Sequence, residues 1–283
     1  MIASTPRPTR RRRPTPIIRL ILLIGLALIV ATTGVACSDA PTEIEIERAD
    51  DGVDPSIVIV MITKDLEPVM EQLGETFAET RRGATFRYVV EEPDELAARI
   101  DSGYRPSLWV DNAAAIGPHA SDPTAQGAPA PFGEAIMTMV VHDELPREPR
   151  PTLAAFGGES VIASGICGPT FACGVGARLV LDNADIVADP VLDDATPAEI
   201  IEGLQTRTID AALVYRPEAA RLGSIINIVP VPDPSIGRLE YQSIVFGRSP
   251  FASEFQRWLG SAPEATEILI RYGWRNQTPS GGT

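Results

Sequence analysis

Few side chains in this 283-residue chain are of the kinds that do chemistry, and their spacing sorts them into three groups. Cys37 follows a basic stretch (Arg10 to Arg13), an apolar run (Leu20 to Ala31) and the small-residue approach Gly34-Val35-Ala36. That order describes an export signal ending at a lipidated cysteine, so residues 1–36 are expected to be a lipoprotein signal peptide with Cys37 as the lipidation site. The competing use of the segment is an uncleaved anchor, but the apolar run is short of the roughly 20 residues that span a bilayer as a helix. Cys167 and Cys173 then remain as a pair six residues apart in an oxidising setting, closing a loop that contains the turn-forming Gly168-Pro169. They are expected to form a disulfide. The alternative is metal ligation, and two cysteines with His119 and His142 scattered without ligand spacing make a poor zinc cluster. No metal and no cofactor is expected. Neither histidine sits in a nucleophile motif, and no paired carboxylates or triad stand out, so the reading is of a protein that is not an enzyme.

Lys64 opens the third group. It is the single lysine, against 23 arginines, and it stands at the carboxyl end of a predicted strand, where open α/β sheets place their ligands. It reads as a cationic ligand contact, as a partner for Glu91 or Glu92, or as a solvated loop residue. Tyr215, closing another predicted strand, has a phenol able to donate to a ligand or to finish a core. Asn112 stands at the tip of a third strand. The backbone N–H groups near Gly174 and Val175 join the set if a helix starts there.

Charge narrows the class of partner. The net charge of -14 comes from 24 basic and 38 acidic residues; six of the basic ones precede Cys37 and none of the acidic ones do, so the exported part carries -20. Nucleic acid and anionic lipid are therefore not expected as partners of the body of the protein. Residues 37–56 are rich in Asp, Glu and Pro and read as an acidic tether. Residues 277–283 read as a disordered tail.

Between these ends, strand and helix signals alternate, the pattern of a mostly parallel sheet with helices on both faces. Ile57 to Ile62 is an unbroken β-branched run suited to a strand buried on both sides. A helix follows with Leu66, Val69, Met70, Leu73 and Phe77 at helical spacing; then come a strand over Thr85 to Val90, a helix over Pro93 to Ser102 and a strand over Leu108 to Val110. An apolar strand, Ala135 to Val141, is expected to cross to a second lobe. There a helix at Thr152 to Phe156, a strand near Val161 to Ala163, and a helix opening at Gly174 or Gly176 are predicted. Thr196-Pro197-Ala198-Glu199 is a capping box with proline at the first helical position. Strands over Ala211 to Tyr215 and Ile225 to Val231 follow, with Tyr241 to Phe246 as the second crossing. Two helices close the chain, lined by Phe251, Phe255, Trp258 and Leu259 and then by Ile268, Leu269 and Tyr272; these aromatics read as core. The division is lobe 1 over 57–134 and 245–276, and lobe 2 over 135–244 with the hinge strands.

Two stretches carry a family likeness: Ile209-Asp210-Ala211-Ala212-Leu213-Val214-Tyr215-Arg216-Pro217-Glu218-Ala219, and the ending from Ser261 to Arg275. With Gly168-Pro169 and Gly174-Val175-Gly176 they resemble bacterial extracellular solute-binding proteins, and among these the molybdate-binding components of ABC transporters. The resemblance implies the type 2 periplasmic binding protein fold, two Rossmann-like α/β lobes joined by two crossing strands. It also implies a monomeric receptor on the extracytoplasmic face of the membrane, lipid-anchored here, that takes a small anionic solute to a membrane permease. The ligand shell it implies is Thr63, Lys64, Asn112, Gly174, Val175 and Tyr215. Helix N-termini and hydroxyls suit an oxyanion, because orphan N–H donors and the positive dipole end coincide. The family's first serine falls on Thr63, Lys64 or Asp65, and its second serine loop on Glu91-Glu92-Pro93-Asp94. An acid within about 4 Å of a dianion costs on the order of 4 kcal/mol per unit charge at an effective dielectric of 20. Either those acids turn to solvent, or molybdate is not the solute. The alternative function is a surface or sensory lipoprotein that kept the scaffold and lost oxyanion transport.

Overall fold

The computed structural model describes residues 54–145, 148, 151–158, 161–247 and 249–275. The signal peptide, Cys37, most of the tether and the tail lie outside the described residues. The β-branched run forms β1 (Ile57–Thr63), an inner strand with β2 (Thr85–Glu91) and β3 (Leu108–Asn112) parallel on either side. Helix α1 (Glu67–Thr80) and α2 (Pro93–Asp101) are the crossovers, and a single turn, α3 (Ala113–Ile116), follows β3. The chain then adds β4 (Ala130–Ala135) to the far edge of this sheet and, after one residue, starts β5 (Met137–His142) in a second sheet.

The second sheet repeats the plan. Strand β6 (Ser164–Cys167) lies parallel between β7 (Leu192–Ala195) and β8 (Ala211–Tyr215), with α4 (Ala172–Asn183) and α5 (Pro197–Thr206) as crossovers and α6 (Arg216–Ala220) as the turn after β8. Strand β9 (Ile226–Pro230) takes the outer edge. The chain returns through β10 (Leu239–Val245) and ends in α7 (Pro250–Ser261) and α8 (Pro263–Arg271). Strand orders are β2-β1-β3-β10-β4 and β7-β6-β8-β5-β9. Each is three parallel strands followed by the one strand that arrives from the other sheet, running antiparallel. The expected fold class, two α/β lobes joined by two crossings, is what the topology shows.

Several expected boundaries move. The apolar run taken for one crossing strand is two strands in different sheets, divided at Ile136. The residues taken for the second crossing lie in β10, paired with β3 and β4 in the first sheet, so the crossing is the preceding segment 231–238 and the lobe boundary expected after residue 244 falls before residue 239. Periodicity reports that a run is extended, not which sheet claims it. The strand expected at Val161 to Ala163 is displaced to Ser164–Cys167, and Val161 is wholly exposed. Gly165 explains the displacement: a Cβ there would meet Ile209 at 2.6 Å and Ile200 at 3.0 Å, so the bare backbone is what lets α5 lie close. The helix expected at Thr152 to Phe156 is a 3₁₀ turn, Leu153–Phe156. Helix α4 begins at Ala172, two residues before the earlier of its expected starts.

The capping box at Thr196 forms as expected: its hydroxyl accepts from the Glu199 N–H at 3.2 Å and the Glu199 carboxylate accepts from the Thr196 N–H at 2.7 Å. The closing aromatics are core. Phe255 packs edge-on against Phe77 (ring centroids 5.1 Å) and Phe86 (4.8 Å), clamping α7 and α1 to the first sheet. Among the described residues no helix is long and apolar enough to cross a membrane. Phe255→Ala removes the centre of this aromatic cluster, and urea unfolding should show a loss of about 3–5 kcal/mol; a loss below about 1 kcal/mol would mean that the cluster repacks around the gap.

Candidate functional site

In both lobes the parallel strands end toward the seam between the sheets. The pairing of Ile62 with Val110 sets Thr63, at the end of β1, beside Asp111 in β3. Thr63 is buried, with its carbonyl accepting the Leu66 N–H at 3.0 Å. Lys64 and Asp65 follow on an exposed turn, and among the described residues Lys64 makes no ion pair. Its offered partners are engaged elsewhere. Arg99 Nε donates to Glu91 at 2.6 Å, and Glu92 and Glu95 form the reciprocal cap of α2. The acidic loop is therefore tied to α2, and Lys64 is left as the solvated residue of its three readings.

Asn112 is a cap. Its Oδ1 accepts the Ala115 N–H at 3.0 Å to start α3, and its Nδ2 donates to Asp111 Oδ1 at 2.9 Å. Two of its side-chain bonds are thus made within the first lobe, which leaves one Nδ2–H to offer a ligand. Asp111 is the group that sequence reasoning missed. Oδ1 accepts from both the N–H and the Nδ2 of Asn112, while Oδ2 is buried without a hydrogen-bond partner. Burial pushes its pKa up to about 7 against the pull of the Asn112 N–H, and the charge of Asp65 adds to the rise. Trp109, two residues earlier on the same strand face, has its indole N–H buried outside full hydrogen-bond geometry yet near enough to Asp111 to draw that carboxyl's pKa down.

On the second lobe the disulfide is present: Cys167 and Cys173 are joined, with Cα atoms 5.7 Å apart. It ties the end of β6 to the first turn of α4. Gly174 sits so close beneath that a Cβ would lie 1.9 Å from the Gly168 carbonyl oxygen, so its glycine serves packing. The Val175 N–H already donates to the Phe171 carbonyl at 3.0 Å and the side chain is half-exposed, which removes Val175 from the set of free donors. The amides ahead of it in the first turn have no partner inside the helix. Tyr215 is buried; its hydroxyl donates to the Ala172 carbonyl at 3.3 Å, and burial raises its pKa, with Glu218 adding to the effect. Gly176 makes room, since a Cβ there would stand 2.7 Å from that hydroxyl.

The lobes meet around a cavity of about 20 Å³ lined by Asp65, Ala135, Tyr241 and Trp274 from the first and Tyr215, Pro217, Glu218 and Arg221 from the second. That is room for about one water. Tyr241 donates to Asp65 at 3.3 Å, and its ring meets Trp274 edge-on at 4.4 Å. Burial holds the Tyr241 phenol well above its ordinary pKa, and the charges of Asp65, Asp111 and Glu218 act in the same sense. Glu218 accepts the Tyr215 N–H at 2.7 Å. It is half-buried by surface, yet the space it faces is this small cavity rather than bulk water, and desolvation raises its pKa to about 7. Of the residues expected in the site, the structure brings Tyr215 to this cavity. Thr63 is not among its lining residues, and Lys64 and Asn112 make no bond to the second lobe among the described residues. Glu218 had a legible signal, as the third helical residue of a Tyr-Arg-Pro-Glu start; Tyr241 and Trp274 had none beyond ordinary core patterning.

The sign of the Asp111 shift gives a test. Its folded pKa stands above the ordinary 3.8, so the folded state holds the proton and stability falls as pH rises from about 4 to about 7. The linkage over that interval is on the order of 4 kcal/mol at most. Asp111→Asn keeps the Oδ1 acceptor and carries no charge at any pH. Relative to the wild type it should gain about 2–4 kcal/mol in urea unfolding between pH 4 and pH 8; an equal difference at both pH values would refute the buried carboxyl's role.

The fold agrees with what comparison finds. The model for bacterial extracellular solute-binding proteins matches residues 58–275. The molybdate-binding protein of Mycobacterium bovis is 22% identical over 178 residues, covering 62% of this chain and 67% of that protein. Two solved structures share the fold: the substrate-binding domain of a molybdenum ABC transporter from Clostridium difficile (TM-score 0.61, 14% identity, 77% of this chain and 98% of that one) and the periplasmic molybdate-binding protein of Azotobacter vinelandii (TM-score 0.60, 14% identity, 77% and 98%). With its model matched across both lobes, the chain belongs to the bacterial extracellular solute-binding protein family.

Proposed function

We propose that this protein is the extracytoplasmic receptor of an ABC importer, held to the membrane by lipid at Cys37, whose two lobes close on a small anion and present it to a permease. The observation that carries the reading is the convergence of the carboxyl ends of β1 and β8, one from each sheet, on a single inter-lobe cavity. Only contacts made by both lobes at once favour closure, and a site at the seam is where such contacts form. The molybdate-binding relatives point to the class of solute. The buried Thr63 hydroxyl and the unpaired first-turn amides of α4 are the groups suited to an oxyanion.

A second reading, a surface or sensory lipoprotein on the same scaffold, is favoured by the smallness of the cavity and by the acids around it. Calorimetry of the full chain in detergent against molybdate, tungstate, sulfate and small organic acids separates the two. A dissociation constant in the micromolar range for any of them supports the receptor, and Thr63→Val should then weaken binding about five- to tenfold through the lost hydroxyl. Silence toward all of them up to millimolar concentration removes anion transport and leaves the scaffold.

A further inference from the structure

Closing the two lobes sets carboxyls of opposite sides against each other. Asp65, on the turn after β1, and Glu218, in the first turn of α6, line one cavity with space for about one water. Both are tethered. The Tyr241 hydroxyl donates to Asp65 Oδ2, and Glu218 accepts from the Tyr215 N–H, so neither is free to swing away while the seam is shut. The groups facing Glu218 from each element around it are Asp65 after β1, Tyr241 on β10, Tyr215 on β8 and Arg221 at the end of α6. Asp111 on β3 holds its own proton over the same range and adds no charge to the seam below about pH 7. One guanidinium against these carboxyls leaves the closed seam with an excess of negative charge, with Glu218 desolvated and Asp65 reaching it from a turn that keeps one side in water. Like charges confined there raise the energy of the closed form, and a single proton relieves it.

We propose that closure of the empty lobes takes up a proton at the Asp65–Glu218 seam, so that the receptor shuts in mild acid and opens as the pH rises to neutrality. The inference rests on the hinged-receptor reading above. Glu218 is the group that receives the proton, because desolvation acts on it first and outweighs the pull of the Tyr215 N–H, and the charge of Asp65 adds to the rise against Arg221. In the closed form its pKa is about 7; opened to water it returns toward its ordinary 4.5. The folded, closed value is the higher one, so closure binds a proton between those limits. The ratio of closed to open rises at most tenfold for each pH unit lost across that window. Asp111 stays beneath its own strand when the lobes part, and so titrates with folding rather than with closure.

Trp274 lines the cavity and gives the readout. Acrylamide quenching and emission maximum are recorded for the full chain in detergent, without solute, from pH 5 to pH 8.5, and the Trp274 signal is taken as the difference from Trp274→Phe. The expected result is a wetter, red-shifted, more strongly quenched Trp274 above about pH 7, and an indole that stays dry across the whole range in Glu218→Gln, whose amide oxygen still accepts the Tyr215 N–H. Asp65→Asn, a change at an exposed position that removes the repelling charge, should keep the lobes closed to higher pH. The proposal is overturned if Glu218→Gln titrates as the wild type does, or if Asp65→Asn leaves the midpoint in place. A Trp274 that stays dry at every pH in all variants overturns it by removing the hinge itself. A calorimetric screen in which no anion binds, beside an intact pH response, would sink anion transport and leave proton-linked closure standing.

Discussion

Four consecutive residues, Tyr215 to Glu218, hold the molecule's two halves in register. The Tyr215 hydroxyl reaches the first carbonyl of α4, its N–H goes to Glu218, and the Arg216 N–H donates at 3.0 Å to the carbonyl of Ile136, the single residue between β4 and β5. From the first lobe, Gly273 presses so closely that a Cβ would lie 2.7 Å from the Arg216 carbonyl oxygen, and its φ of +88° is one that an L side chain rarely adopts. A typical hydrogen bond adds only about 1 kcal/mol net, whereas a buried donor left unmade costs about 1–3 kcal/mol. The junction therefore resists loosening one bond at a time. It stays as a unit, or the lobes part around it.

That unit explains the arrangement of the sheets. A parallel triplet buries both faces under helices and leaves a free edge beside its third strand. In each lobe the edge is covered by the strand that has just come from the other lobe, β10 against β3 and β5 against β8. The crossings are thus integral parts of both cores, and any backbone rotation that opened the seam would have to be absorbed in two short stretches, Ile136 and the segment 231–238. At the second stretch Gly237 and Gly176 approach until a Cβ on Gly237 would stand 2.8 Å from the Gly176 carbonyl oxygen. Tight backbone contact at a crossing limits how the lobes come together, because a close fit has few intermediate positions.

Much of this was legible in the chain and some of it was not, for reasons that can be named. The run Ile57 to Ile62 announces a strand buried on both faces, and Thr196-Pro197-Ala198-Glu199 announces a helix start, because both signals are local. The pairing of Cys167 with Cys173 followed from compartment and spacing. The crossings were misassigned because extended residues look alike whichever sheet they join, and β6 was displaced because Ser164-Gly165-Ile166-Cys167 earns its strand from small side chains that admit a helix, not from β-branched ones. The ligand shell rests on strand tips, helix starts and the family resemblance. Tyr215 of that set lines the cavity, but side-chain commitments are tertiary facts: Asn112 caps α3, the Val175 amide closes a helical turn, and Asp65, Glu218 and Tyr241 become neighbours only when three separate elements fold together.

The acids at the seam bear on the solute differently from the acids in the sequence. Glu91 and Glu92 are bound to α2 and impose nothing on the cleft, so the electrostatic objection to an oxyanion shifts to Asp65 and Glu218. An ionised carboxylate about 4 Å from a bound anion opposes it by on the order of 4 kcal/mol at an effective dielectric of 20. Protonated, the same carboxyl is neutral and has an O–H to donate, which turns a repelling neighbour into a ligand. With Glu218 raised to about 7 by burial, that conversion costs little near neutral pH. On the proposed receptor reading, an anion entering this seam would be admitted together with a proton on Glu218, and the desolvation that raises the Glu218 pKa is what would make the acidic wall tolerable to it.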